Sequence, residues 1–312
     1  MSLAVVIPCY NVARHIEDVL RGIPEDAEWR IAVDDASSDE TQAILKRLAT
    51  GDSRIIYIRH EKNKGVGGAM MTGYAKAVEL QADIVVKVDG DGQMDMADIP
   101  ALIQPLLDNK ADYAKGNRFR DLHALRKMPF GRRIGNLGLS FMIKAASGYW
   151  NIFDPSNGFT AVKGEMLNQI DFKKIHPRYF FESSMLIELY YANAVIQDVP
   201  MKAKYGNEIS GLSITRTLFE FPPRLFLAWI KRILLKYFLF EFNIASVYIL
   251  TGLPLFLAGS IYGGINFFKY ASSHIPAPTG TVVIPTLLII LGFQLLLSAV
   301  SFDITNYPKK PG

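Results

Sequence analysis

At 312 residues the chain is longer than one hydrophobic core usually fills, because single cores stop growing near about 250 to 300 residues; a large domain and something extra are expected. Half of the residues are hydrophobic and the mean hydropathy is +0.15, with the excess gathered in the last third. A net charge of +4 without dense basic runs argues against nucleic acid as a partner, and the single cysteine, Cys9, excludes an intrachain disulfide and a cysteine-based zinc site.

Met1 to Pro8 has no basic n-region and no long apolar h-region; it reads as a strand that starts at once, so the N-terminal domain is expected not to be exported. Short β-branched runs then alternate with helical stretches. The predicted strands are Leu3 to Ile7, Arg30 to Val33, Ile55 to Arg59, Ile84 to Val88 and Asp112 to Lys115. Helices are predicted around Ala13 to Gly22, Ser38 to Ala49, Val66 to Glu79 and Ala97 to Asp108. This alternation predicts an α/β domain over 1–212 with a mostly parallel sheet, whose polar residues gather at the carboxyl ends of the strands.

After the polar link Tyr205 to Gly211 the character changes. Arg224, Lys231, Arg232 and Lys236 fall within a sector of roughly 140° on a helical projection, opposite Leu227, Trp229, Ile233, Leu234 and Phe238. The region 213–241 is therefore expected to form amphipathic juxtamembrane helices with a basic face for anionic headgroups. Phe242 to Phe268 and Thr281 to Phe302 contain no charged residue, and each exceeds the roughly 20 apolar residues that cross hydrocarbon, so 242–312 is read as a two-helix transmembrane hairpin with a short tail. The cations cluster before the first span and after the second (Lys309, Lys310), which predicts an integral membrane protein with its N-terminal domain and both termini cytoplasmic.

Candidate chemistry begins with Val88-Asp89-Gly90-Asp91-Gly92-Gln93. Two carboxylates two residues apart in a turn after a strand can share a hard divalent ion that bridges the phosphates of a nucleotide diphosphate, and Gln93 could add a neutral oxygen. A calcium loop of the EF-hand type does not fit, because Met94 and Pro100 stand where Gly and Glu are needed. The other strand ends supply Ile7-Pro8-Cys9-Tyr10-Asn11, Val33-Asp34-Asp35-Ala36-Ser37-Ser38-Asp39-Glu40-Thr41 and Asn63-Lys64-Gly65-Val66-Gly67-Gly68. Tyr10 can cover a base, Asp35 can accept from base or ribose donors, and a glycine-rich helix start can bring amides to phosphate. The dinucleotide fingerprint fails at Met70, and no Walker A sequence is present.

In this order, the motifs I-P-x-Y-N, V-D-D-x-S-x-D-x-T, N-x-G and D-x-D resemble glycosyltransferase family two, with its GT-A fold, and within it the polyprenyl-phosphate sugar synthases related to dolichol-phosphate mannose synthase. The resemblance covers about residues 3 to 210 and continues in Gly116-Asn117-Arg118, Arg132-Arg133, Asp154-Pro155-Ser156-Asn157-Gly158-Phe159 and Phe180-Phe181-Glu182, with Asn117 and Asn157 departing from the usual residues. It implies an inverting transferase using Mg or Mn. It implies a nucleotide site of Pro8, Tyr10, Asn11, Asp35, Lys64, Gly65, Asp89 and Gly90, and a metal site of Asp89, Asp91 and Gln93. Catalysis would fall to Asp91, Arg118, Arg132 and Arg133, and contacts to the acceptor phosphate or sugar to those arginines with Asp154 and Glu182. The implied donor is a UDP- or GDP-sugar and the acceptor undecaprenyl or dolichyl phosphate at the bilayer; a homo-oligomeric assembly is left open.

No Q-x-x-R-W signature is present, so one sugar per cycle is expected. The alternative acceptor, a hydroxyl of a glycolipid or glycan, would require a general base, for which Asp154 or Glu182 could serve. A catalytically silent sugar-nucleotide sensor is disfavoured because both carboxylates of the D-x-D are intact.

Overall fold

The computed structural model describes residues 1–118, 130–201, 214–273 and 275–310, with the side chains of 130–134, 136 and 214–218 outside the description. The chain divides into two compact units, Met1–Ala228 together with Pro308–Gly312, and Trp229–Tyr307.

The first unit is built on seven strands: β1 (Leu3–Cys9), β2 (Trp29–Asp34), β3 (Ile55–Arg59), β4 (Ile84–Lys87), β5 (Tyr113–Asn117), β6 (Thr160–Lys163) and β7 (Ile196–Pro200). They lie in the order β3-β2-β1-β4-β6-β5-β7, and β6 alone runs antiparallel to its neighbours. Helices α1 (Ile16–Gly22), α2 (Thr41–Gly51), α3 (Val66–Glu79), α4 (Ile99–Leu107), α5 (Phe130–Ser147), α6 (Gly164–Leu167) and α7 (Phe181–Tyr191) fill the connections. The predicted mostly parallel α/β sheet is present. β1 is its apolar centre, because a strand covered on both faces carries a continuous hydrophobic run rather than an alternating one. Burying each of Val5, Val6 and Ile7 completely stabilises the sheet by about 1.5 to 3 kcal/mol.

β2 and β4 flank β1 on opposite sides, so the chain reverses its direction of travel across the sheet at the β1/β4 pair. Such a switch point leaves a crevice outside the carboxyl ends of the strands. Strands β6 and β7 were not expected from the sequence. β6 has only four residues, and β7 is an edge strand with exposed Gln197 and Pro200, so neither carries a long apolar signature.

Helix α8 (Ile214–Leu234) leads through a π-helical turn (Leu235–Phe240) to α9 (Ile244–Ser273) and α10 (Thr279–Thr305). Helices α9 and α10 are long and apolar enough to cross a membrane, and only 22% and 17% of their most apolar windows are buried, which is not how core helices of a soluble protein sit. They pack closely: a Cβ at Gly292 would stand 2.5 Å from the backbone nitrogen of Phe256.

Of the basic face expected between 213 and 241, Arg224 and Lys231 are exposed and Lys236 is half-buried, but Arg232 turns inward. Arg232 is 1% exposed and makes two 2.7 Å hydrogen bonds to Asp303, whose Oδ1 also accepts from the Tyr237 hydroxyl at 2.6 Å. Lys236 donates to the carbonyl of Asn306. A carboxylate at the end of an otherwise uncharged helix needs a buried cation, and this demand turns Arg232 inward. Among the described residues of α8 the exposed side chains are Phe219, Pro223, Arg224, Phe226, Leu227, Ile230, Lys231 and Leu234, so two of the four expected basic residues remain on the surface.

Candidate active site

The loops after β1 and β2 are bonded to each other. Asn11 sits at φ 54° and accepts from the backbone of Ser38, while its own N–H donates to the Ser37 hydroxyl. The N–H of Val12 donates to Thr41 Oγ1 and that of Ala13 to Asp39 Oδ2. Ser37, Asp39 and Thr41 of the V-D-D-x-S-x-D-x-T motif thus scaffold the neighbouring loop, which holds Tyr10 53% exposed at the crevice.

The two carboxylates of that motif are inside. Asp34 is fully buried and paired with Arg59 at 3.0 Å. Asp35, expected to face a base, is only 2% exposed. Its Oδ1 accepts from the Lys64 amide and lies 2.7 Å from His60 Nδ1, and its Oδ2 accepts from the Gly65 amide. The carboxylate therefore fixes the 60–65 loop in place through three contacts, two on Oδ1 and one on Oδ2.

The glycine-rich start of α3 packs against the chain itself. Gly65 has φ 85°, where a side chain is strained, and a Cβ on Gly67 would stand 2.3 Å from the His176 carbonyl oxygen. The Gly68 amide donates to the Pro177 carbonyl. These glycines admit the backbone of 176–178, and the amides of Gly65 and Gly68 that were expected to meet phosphate are bonded within the protein.

The D-x-D turn follows β4 next to the end of β1; a Cβ on Gly90 would face the Pro8 carbonyl at 3.3 Å. Asp89, Asp91 and Gln93 are all half-buried, and the Gln93 amide donates to Asp91 Oδ1 at 2.9 Å. Beneath them lies Lys87, fully buried. Its ammonium donates to Asp89 Oδ1 (2.7 Å), the Gly158 carbonyl (3.2 Å) and Glu182 Oε1 (3.4 Å). Burial by itself would lower its pKa, but Asp89 and Glu182 outweigh it and hold the lysine charged. Glu182, in the first turn of α7, thereby joins the site.

The acceptor-side motifs meet at the same loop. Asp154 is fully buried and takes the Arg118 guanidinium in a two-point contact, Nε at 2.8 Å and Nη2 at 3.3 Å. Four residues on, Gly158 lies against Lys87 and Asp89 so tightly that a Cβ there would be 2.5 Å from Lys87 Nζ and 2.7 Å from Asp89 Oδ2. The 154–159 loop thus carries the arginine pair at one end and a wall of the D-x-D pocket at the other. Arg132 and Arg133 lie on α5 with their side chains outside the described residues.

Three groups were missed by sequence reasoning. Lys87 and Lys115 occupy equivalent positions on β4 and β5, each in register with Thr160 of the strand between them. Lys115 donates to the Asn157 carbonyl, and burial pulls its pKa down to about 8 against the attraction of Glu182 and Asp154. Asp198 on β7 accepts from Asn117 Nδ2 and from the Phe153 amide, and burial raises it to about 6. The only signal was a lysine closing an apolar strand, Ile84-Val85-Val86-Lys87, which equally suits a solvated strand end.

A seven-stranded sheet with a D-x-D at its switch point and an aromatic loop beside it defines a glycosyltransferase domain of the GT-A class. The chain belongs to glycosyl transferase family 2, whose model matches residues 4–171, and it is accordingly an enzyme that transfers sugar. It is 35% identical over 213 residues to the UDP-N-acetylglucosamine--dolichyl-phosphate N-acetylglucosaminyltransferase of Methanococcus voltae, covering 64% of this chain and 84% of that one. The polyprenol monophosphomannose synthase of Mycolicibacterium smegmatis is 24% identical, over 69% of this chain and 84% of its own. Among solved structures, glucosyl-3-phosphoglycerate synthase of M. tuberculosis shares the fold with a TM-score of 0.52 at 19% identity, over 74% of this chain and 80% of that one.

Proposed function

We propose that the chain transfers one sugar per cycle, with inversion, from a nucleotide-sugar to a polyprenyl phosphate at the cytoplasmic face of a membrane. The observation that carries this reading is the 154–159 loop, which holds a phosphate-competent arginine and a wall of the D-x-D pocket within five residues. The names of the relatives favour the same acceptor class, and the identity to the Methanococcus voltae enzyme favours UDP-N-acetylglucosamine as the first donor to test.

The donor set of the turn, two carboxylates and the amide oxygen of Gln93, is all hard oxygen and suits Mg or Mn. When bound, such an ion would neutralise charge on the departing nucleoside diphosphate. Tyr10 offers its exposed ring to the base. Arg118, backed by Asp154, is oriented to grip an anionic oxygen on the acceptor side; Asp154 sets the fork so that less side-chain freedom is lost on binding.

A phosphate monoester is largely dianionic at neutral pH, its second pKa being about 6, so the acceptor oxygen needs placement more than deprotonation. The oxygen attacks the anomeric carbon from the face opposite the diphosphate, the new bond forms as the old one breaks, and the configuration inverts. Helices α9 and α10 would hold this chemistry at the bilayer, where such an acceptor is confined.

The test is transfer of label from a panel of UDP- and GDP-sugars into lipid-extractable product by the purified chain with polyprenyl phosphate and Mg or Mn. A lipid product that disappears with chelator is expected, and its donor identifies the sugar. Donor hydrolysis without lipid product would point to the hydroxyl-acceptor reading instead.

A further inference from the structure

Lys87 is a buried cation in contact with a carboxylate expected to hold a metal ion. It is 1% exposed and its ammonium has three acceptors for its three protons: Asp89, the Gly158 carbonyl and Glu182. Gly158 adjoins both Lys87 Nζ and Asp89 Oδ2 and leaves no room for a side chain there, with Asp89 Oδ1 engaged by the cation. A metal ion binding at Asp89 must share that carboxylate with a fixed positive charge. Among the described residues no group of three or more carboxylate, histidine or cysteine side chains is arranged to hold a metal, so Asp89, Asp91 and Gln93 supply only part of a six-oxygen shell.

From this we infer that Lys87 is a positioning residue that makes metal binding conditional on the donor: it fixes Asp89 and Glu182, suppresses capture of a divalent ion by the empty site, and lets the ion bind well only when a nucleoside diphosphate brings its own oxygens. The inference rests on the metal reading of the D-x-D. A buried cation within contact distance of a carboxylate disfavours a second cation there in proportion to both charges, and the low-dielectric surroundings strengthen the effect. Diphosphate oxygens complete the shell and bring the negative charge that offsets the lysine. Loading of metal and nucleotide is then reciprocal, each tightening the other by the same factor.

The experiment uses the purified full chain in detergent and titrates Mn2+ alone, then with UDP and with GDP, by calorimetry or by the loss of free-ion paramagnetic signal. Wild type is expected to bind Mn2+ weakly alone and about tenfold or more tightly with one of the two nucleotides. Lys87→Met, which keeps the length but not the charge, is expected to bind Mn2+ alone about tenfold or more tightly than wild type, with a smaller gain on adding nucleotide. A gain in affinity is an outcome that damage to the fold does not produce. Should the unpaired Glu182 prevent folding, Lys87→Met combined with Glu182→Gln keeps the net charge, frees Asp89, and is expected to show the same gain.

Equal Mn2+ affinity in wild type and these variants, with Asp91→Ala losing it, overturns the role of Lys87 while leaving the metal site standing. No Mn2+ binding by wild type, with or without either nucleotide, overturns the metal reading and the inference with it.

Discussion

Asp89 and Asp91 stand two residues apart but differ in their surroundings. Asp89 is clamped by Lys87, whereas Asp91 takes the amide of Gln93 and faces the crevice half-buried. Asp91→Ala is expected to lower transfer at least about a hundredfold with folding and membrane insertion unchanged, checked by steady-state rates beside circular dichroism and fractionation. Arg118→Lys keeps a cation over buried Asp154 but loses the planar fork, so the acceptor KM is expected to rise about tenfold with the donor KM unchanged. Asp198 predicts a pH effect. Its folded pKa, about 6, lies above the unfolded carboxylate value near 3.9, so between those pH values the folded state holds the extra proton and stability falls as pH rises. Thermal unfolding from pH 4 to 6.5 should show a loss on the order of 2 kcal/mol in wild type that Asp198→Asn largely abolishes. The spacing of Asp89, Asp91 and Gln93 was legible in sequence because those residues act within one turn. Lys87 and Asp198 were not, because their burial depends on which strands lie beside them: Thr160, between the two lysines, lies on a strand the sequence hid.

At the scale of elements, the first five strands and first four helices were readable from alternating apolar runs; Tyr10, Asp35, Asp89 and Arg118 follow the carboxyl ends of β1, β2, β4 and β5, whereas Asp154 precedes β6 and Glu182 lies on α7. What the V-D-D-x-S-x-D-x-T and N-x-G motifs do was less readable. Many of their polar atoms bond to adjoining loops, as Asp35 does to the 64–65 amides and Ser37 and Thr41 do to the loop after Tyr10, so the motif supports the loop that carries Tyr10. Arg232 on α8 was misplaced for a related reason: it was counted on a helical wheel, while its partner, Asp303, lies some 70 residues further along. That pair gives a prediction. Asp303→Ala leaves Arg232 buried without its carboxylate and is expected to destabilise the second unit by about 3 to 5 kcal/mol, seen as a lower thermal midpoint in detergent. Replacing both partners, Arg232→Met with Asp303→Leu, should cost less, because no uncompensated charge remains.

In the whole molecule two physical necessities meet. A sugar-transfer site of the GT-A class needs a way to neutralise a leaving diphosphate, and we propose that the strand-end turn of Asp89 and Asp91 supplies it through a divalent ion. An acceptor dissolved in the bilayer needs an enzyme held there, and α9 and α10 are long, apolar and mostly uncovered. The claim that unites them is that the acceptor group is a phosphate, with Arg118 on its side of the site and no general base required. The most direct test offers the purified chain, with its best donor and metal, two acceptors of the same isoprenoid length, polyprenyl phosphate and polyprenol. Product from the phosphate alone, released as free sugar by mild acid, is the predicted result; efficient, acid-stable product from polyprenol, with none from the phosphate, would contradict the account.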